Sequence, residues 1–306
     1  MGVVFSSIAV LAAVLISGSA TVWIENRLYR RAGYELGPAS DAPVARDFLP
    51  QTADSWLYRA APLVAVLGVC WAMVVIPFSP HWVGSNLNIG LFYFLVVVDY
   101  VVLGIAIGGW GAATPNSVEA CYRGVAQLVA YVTPLGLAVI GPIMMARSLS
   151  IVSIVWAQQQ AGLWYIVAQP YEFVLYIATA LMQCYRAPFL EPFGDRIRGG
   201  VLGVYGGWKA ATWRVALGAL FFIVAAMGAT LFLGGYSGPW LPGPVWLILK
   251  TLAVMVLMIW IGRRVRLLST AQMLSLAWRV LIPIGLLNVL IVGAEILAGV
   301  GQSPFR

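Results

Sequence analysis

Charge is what this chain has least of. Only 9% of its 306 residues are Asp, Glu, Lys or Arg, against 61% hydrophobic, and mean hydropathy is +0.91. Soluble domains carry about 25% charged residues, so a water-soluble fold is excluded. Histidine occurs once, at His81, and cysteine only at Cys70, Cys121 and Cys184, with no Cys-x-x-Cys spacing. Four-thiolate zinc or iron–sulfur ligation and a bis-histidine haem inside this single chain are excluded with it. There is no Walker-type phosphate loop, and no segment between apolar runs exceeds about forty residues. A redox centre or nucleotide that this chain serves therefore belongs to another subunit.

What is present is a series of eight apolar runs, about 3–23, 60–78, 87–109, 125–146, 162–182, 212–235, 244–262 and 280–300. Each is long enough for a hydrocarbon core, which takes roughly 17–25 residues as helix. Irregular backbone facing lipid would leave amides unpaired, so all eight are expected to be helical. The first run is long and has no basic residue before it, the pattern of a retained helix rather than a cleaved signal. The expected fold class is an all-α integral membrane protein, a bundle of about eight transmembrane helices forming one membrane domain over 1–306. It is expected to be a multi-pass protein of the cell inner membrane.

Basic residues orient the bundle. Arg27, Arg30, Arg31, Arg46 and Arg59 lie between the first two runs, Arg123 between the third and fourth, Arg186, Arg196, Arg198, Lys209 and Arg214 around the fifth-to-sixth loop, and Arg263, Arg264, Arg266 and Arg279 between the last two. Only Arg147, Lys250 and Arg306 fall elsewhere. The positive-inside rule puts these four polar loops in the cytoplasm and both termini in the periplasm. The net charge of +7 is then met by anionic lipid heads or acidic partner surfaces and needs no nucleic acid.

Few ionisable residues remain for the membrane interior. Asp99 sits mid-run in VVVDYVVLG and Glu172 near the start of a run in QPYEFVLY. A charged side chain there costs at least about 2.5 kcal/mol, which makes both proton-path candidates, facing a wet cavity or a basic partner. A structural hydrogen bond or ion pair is the competing reading for Asp99. Glu172 and Glu295 lie nearer helix ends and are able to snorkel. For Lys250 the plainest reading is a pair with an acid on a neighbouring helix. Gly104 and Gly108 favour close helix packing. Pro134, Pro142, Pro170 and Pro283 are expected to bend or break their helices, and Trp23, Trp82, Trp110, Trp164, Trp240 and Trp278 to anchor helix ends at the interface.

Several ordered motifs carry a resemblance. They are ELGP at 35–38, IPF at 76–78, LNIGLF at 87–92, Gly109-Trp110, RGVAQLVAY at 123–131, RAPF at 186–189 followed by Pro192, TLFLGGYSGPWLPG at 230–243, WLILK at 246–250 and QMLSLAWRVLIPIGLLN at 272–288. Taken together the chain resembles the H subunit of the proton-pumping NADH–quinone oxidoreductases, the bacterial counterpart of mitochondrial complex I subunit 1. The resemblance implies eight membrane helices with outward termini, and inward loops pressed against peripheral iron–sulfur subunits and other membrane subunits. It implies no cofactor bound by this chain alone, with quinone as a substrate at the interface with partners. It also implies a chamber and docking surface drawn from Glu25, Arg27, Arg123, Gln127, Tyr131, Arg186, Pro188, Phe189, Glu191 and Asp195. In this reading Arg186 pairs with Glu191, Asp195 or a partner subunit, and glycines such as Gly194 and Gly200 let the loop after it turn tightly.

The chain departs from the family pattern where that pattern carries acids. Gln183 and Leu190 stand where the family has glutamate and aspartate around RAPF, and Val132 stands where it has the glutamate after Ser-Tyr. A second reading is therefore a divergent anchor subunit of a hydrogenase or formate-hydrogenlyase type complex with reduced quinone chemistry. A third, an independent secondary transporter, predicts internal repeats, and none is evident.

Overall fold

The computed structural model describes residues 2–31, 53–80, 82–189 and 200–298. It is helical throughout, with no β-strand among the described residues. The long helices are α1 (Gly2–Arg31), α2 (Ser55–Met73), the collinear pair α3 (Gly90–Val98) and α4 (Tyr100–Ala112), and α5 (Pro115–Ala146). Then come α6 (Ile151–Ala161), the short α7 (Tyr165–Ala168), α8 (Pro170–Gln183), α9 (Gly207–Phe232), α10 (Gly243–Arg264), α11 (Thr270–Leu276) and α12 (Ile282–Leu297).

Among the described residues, seven helical lengths are long and apolar enough to span a bilayer, counting α3–α4 and α11–α12 as one each. The run expected at 162–182 is the exception. It is divided at Gln169–Pro170, where proline has no N–H to continue the helix, leaving α8 with 14 residues, about 21 Å of rise. Pro283 has a milder effect: a π-helical turn over Ala277–Leu281 precedes it and the helix continues. Pro134 and Pro142 correct the expectation of a break, since both lie inside the uninterrupted α5.

The centre of the bundle is α9, buried on all sides from Ala216 to Phe232. Lipid tails are as apolar as leucine, so close backbone packing must hold the helices together. Glycine supplies it: a Cβ on Gly218 of α9 would stand 2.5 Å from the carbonyl oxygen of Gly18 on α1. Gly104 of α4 meets α2 in the same way, with a Cβ there 2.9 Å from the Ala61 oxygen and 3.1 Å from the Ala65 Cβ. The outer faces carry leucines, valines and tryptophans, including all six of the tryptophans expected at helix ends, each of them exposed.

Candidate functional site

The RAPF segment leaves the end of α8 as a tight turn held by three neighbouring elements. Gln127 of α5 donates from Nε2 to the Met182 and Phe189 carbonyls, at 2.5 and 3.1 Å. The Leu268 amide donates to the Pro188 carbonyl at 3.0 Å, and Gly262 of α10, lacking a side chain, lets the Ala187 carbonyl press against it. Gln127, Arg186, Pro188 and Phe189 are thus gathered into one cluster. Glu191 and Asp195 lie outside the described residues.

Arg186 turns inward. Its Nε and Nη2 donate to Glu25 Oε1 and Oε2 of α1 at 2.6 and 2.8 Å, and both side chains are buried. The same Nη2 reaches the Leu217 carbonyl at 3.4 Å, and the guanidinium lies 5.0 Å from the Phe221 ring centroid. This corrects the expectation that Arg186 pairs within its own loop. The reason is the Gly18–Gly218 approach, which lays α1 along α9 and brings Glu25 beneath the turn. A planar fork facing a carboxylate gives two parallel charge-assisted bonds.

A second cluster lies one turn back along α8. Asp99, at the joint between α3 and α4, accepts hydrogen bonds at Oδ1 from the Tyr131 hydroxyl at 2.8 Å and from Gln183 Nε2 at 3.3 Å. Tyr131 is wholly buried and Asp99 half-buried. The carboxylate that Gln183 lacks is therefore supplied to the same place from α3–α4. Val132, the other position where the resemblance implies an acid, is 46% exposed and points away from this cluster's buried side.

Arg27 and Arg123 stand outside the gathered group. Arg27 lies over the Trp23 ring at 4.3 Å, and Arg123 pairs with Glu119 across one turn of α5 at 2.5 Å on a solvent- or lipid-facing surface. Glu172, expected to snorkel, is instead fully buried and accepts a short hydrogen bond from Asn288 of α12. Glu172 and Gln183 are separated by eleven residues of α8, about 16 Å along its axis, so the two acids occupy different depths.

Lys250 overturns its expected ion pair. Its ammonium donates to the carbonyls of Leu233, Gly235 and Ser237 at 2.6, 3.0 and 2.6 Å, and lies over the rings of Trp164 and Trp246. It caps the C-terminal end of α9, where unpaired carbonyls and the helix dipole favour a cation. Sequence inspection missed this role, although the GGYSG turn before it, with Gly234 and Gly235 at positive φ, signals carbonyls converging. Lys250→Met should leave three buried carbonyls without a donor and destabilise the protein by about 1–3 kcal/mol per unsatisfied group at most, read as a lowered unfolding temperature in detergent.

Among the described residues no group of three His, Cys, Asp or Glu side chains converges as a metal site, and the three cysteines are free thiols. Fold and clusters together define a polytopic helical membrane protein whose charged residues are drawn into buried, hydrogen-bonded pairs beneath one loop. Comparison with known proteins agrees with that class and narrows it. A family model described as NADH dehydrogenase matches residues 42–293. The first of two NADH-quinone oxidoreductase H subunits of Geobacter metallireducens is 35% identical over 258 residues, covering 81% of this chain and 78% of the relative. The second H subunit of Syntrophobacter fumaroxidans is 32% identical over 94% of both chains, and the second of Rhodopseudomonas palustris 31% identical over 95% of this chain and 96% of its own. The chain belongs to this family, among the H subunits of NADH-quinone oxidoreductase.

Proposed function

We propose that this subunit forms the membrane wall of a quinone-reduction chamber at the cytoplasmic face, docks the peripheral iron–sulfur subunits through its inward loops, and carries protons through Asp99 as quinone is reduced. The observation behind this reading is the convergence of Asp99, Tyr131 and Gln183 next to the Arg186–Glu25 pair, directly under RAPF. A titratable group held by two neutral donors, half open to its surroundings, has the placement of a proton relay in an apolar span. Tyr131 and Gln183 set its orientation, and the buried Arg186–Glu25 pair holds the floor of the turn above it. The hydrogenase-type anchor is not favoured, because the relatives over nearly the full chain are quinone oxidoreductase subunits.

The orientation follows from the basic loops, with both termini outside. In whole cells carrying the complex with native cysteines replaced, a cysteine at Ser303 should be modified by a membrane-impermeant maleimide and one at Gly200 spared. In the purified complex, a photoreactive short-chain quinone should label this chain, and excess unlabelled quinone should remove the label. Labelling at Gly200 in intact cells, or quinone labelling that excess quinone does not reduce, would count against the proposal.

A further inference from the structure

The acid that the cytoplasmic clusters do not use is Glu172, and its surroundings are specific. It lies in the first turn of α8, just past the Gln169–Pro170 break, with no exposed surface. Its Oε1 accepts from Asn288 Nδ2, while its Oε2 is buried with no hydrogen-bond partner. That orphan oxygen lies over Gly141 of α5, where a Cβ would occupy its place. Any other residue at Gly141 would expel the carboxylate.

Glu295 stands on α12 two turns beyond Asn288, within electrostatic reach of Glu172, and its Oε2 is likewise buried and without a partner. Among the described residues no cation answers them. The groups acting on Glu172 are Gly141 from α5 and Asn288 and Glu295 from α12. The charges of α9, Lys209 and Arg214, lie in its first turns, Lys250 of α10 is engaged by carbonyls, and Arg147 past the end of α5 is exposed. The Gln169 amide, one turn before Glu172, is also buried with neither polar atom partnered.

Two buried acceptors without donors, on two acids sharing one apolar site, lack the same thing. Two negative charges in a low-dielectric span repel strongly, and a single proton both removes that repulsion and turns one orphan acceptor into a donor. A buried polar atom left unpaired is otherwise among the costliest features of a fold.

We propose that Glu172 and Glu295, positioned by Asn288 and the bare Cα of Gly141, form a carboxyl pair that holds one proton between them and exchanges it with the outer aqueous phase. The step is a plain transfer from the carboxyl of one acid to the carboxylate of the other, and Glu295, only partly buried and near the end of α12, is the outward member. The direction of exchange rests on the proposed function, with the C-terminus outside. Asn288 and Gly141 are positioning residues.

The test uses the intact complex in liposomes. Glu172→Gln keeps the shape and the Asn288 contact, and Glu295→Gln keeps its length, so complex yield and electron transfer to a short-chain quinone with the membrane uncoupled should stay near wild type. Proton release per electron should fall roughly tenfold in either variant, and the double variant should be no worse than the worse single one, since both acids serve one proton. Infrared difference spectra across a pH step should show in wild type a carboxylic C=O band that shifts in D2O and vanishes in Glu172→Gln. Unchanged proton release in both variants, or a wild-type spectrum without that band, overturns the proposal. If the wild-type complex itself releases no protons, the proposed function of the whole chain fails instead. The band then decides the pair alone: its loss in Glu172→Gln supports a shared proton, and its persistence there refutes it.

Discussion

Arg186→Lys should lower the yield of assembled complex severely and abolish most of its quinone-dependent turnover. Lysine carries the charge but not the fork, so at most one of the two bonds to Glu25 survives, and the contacts with the Leu217 carbonyl and the Phe221 face go with the other. Removing the charge altogether is expected to be worse. In Arg186→Met, Glu25 is left as a buried carboxylate with no partner, which costs about 3–5 kcal/mol, a large part of the stability of a typical domain. Glu25→Gln should be milder than Arg186→Met, because the amide oxygen still accepts one bond. The double variant Glu25→Met with Arg186→Met should recover part of the lost stability, since no charge is then stranded. Thermal unfolding of the detergent-purified complex, with turnover on the same samples, reads all four. If Arg186→Lys matches wild type in both, the bidentate pair has no organising role.

Asp99→Asn should separate chemistry from structure. Asparagine keeps the shape and its Oδ1 can still accept from Tyr131 and Gln183, so assembly is expected near wild type. A lost proton relay removes about 10²-fold or more from a proton-coupled rate, so coupled turnover should fall by that order while complex yield does not. The geometry supplies a stricter check. Gln183 already donates to Asp99 across the α4–α8 contact, so Asp99→Asn combined with Gln183→Glu moves the carboxylate a few ångströms and exchanges donor for acceptor. That double variant should restore much of the coupled turnover. Equal loss in the single and double variants would make the position of the carboxylate decisive, whereas lost yield with unchanged proton-to-electron ratio would make Asp99 a structural pair. Turnover and ratio both unchanged would remove it from any proton path.

Much of the architecture was legible in the chain itself. Runs of apolar residues must become helices in lipid because backbone amides have no other partner there, so class, helix count to within one and approximate boundaries follow from composition and length. The ordered motifs carried the family relation, which the family model matches over residues 42–293. Isolated acids in apolar runs stood out for the same energetic reason, which is why Asp99 and Glu172 were visible before any fold was known.

The pairings were decided only by the tertiary structure. Glu25 meets Arg186 across 161 positions, Asp99 meets Gln183 across 84, and Glu172 meets Asn288 across 116. Helical periodicity gives the face on which a side chain stands, but not which helix will face it. In a membrane even that signal fades, because the lipid-facing and buried sides are both apolar, and α9 is buried all round. Close glycine contacts then choose the neighbours, with Gly18 against α9, Gly104 against α2 and Gly141 against Glu172. Arg186 accordingly found its acid on α1 rather than in its own loop, and Lys250 found three carbonyls rather than an acid. Each outcome depends on where two backbones can approach most closely, a property of the assembled bundle that no single segment contains.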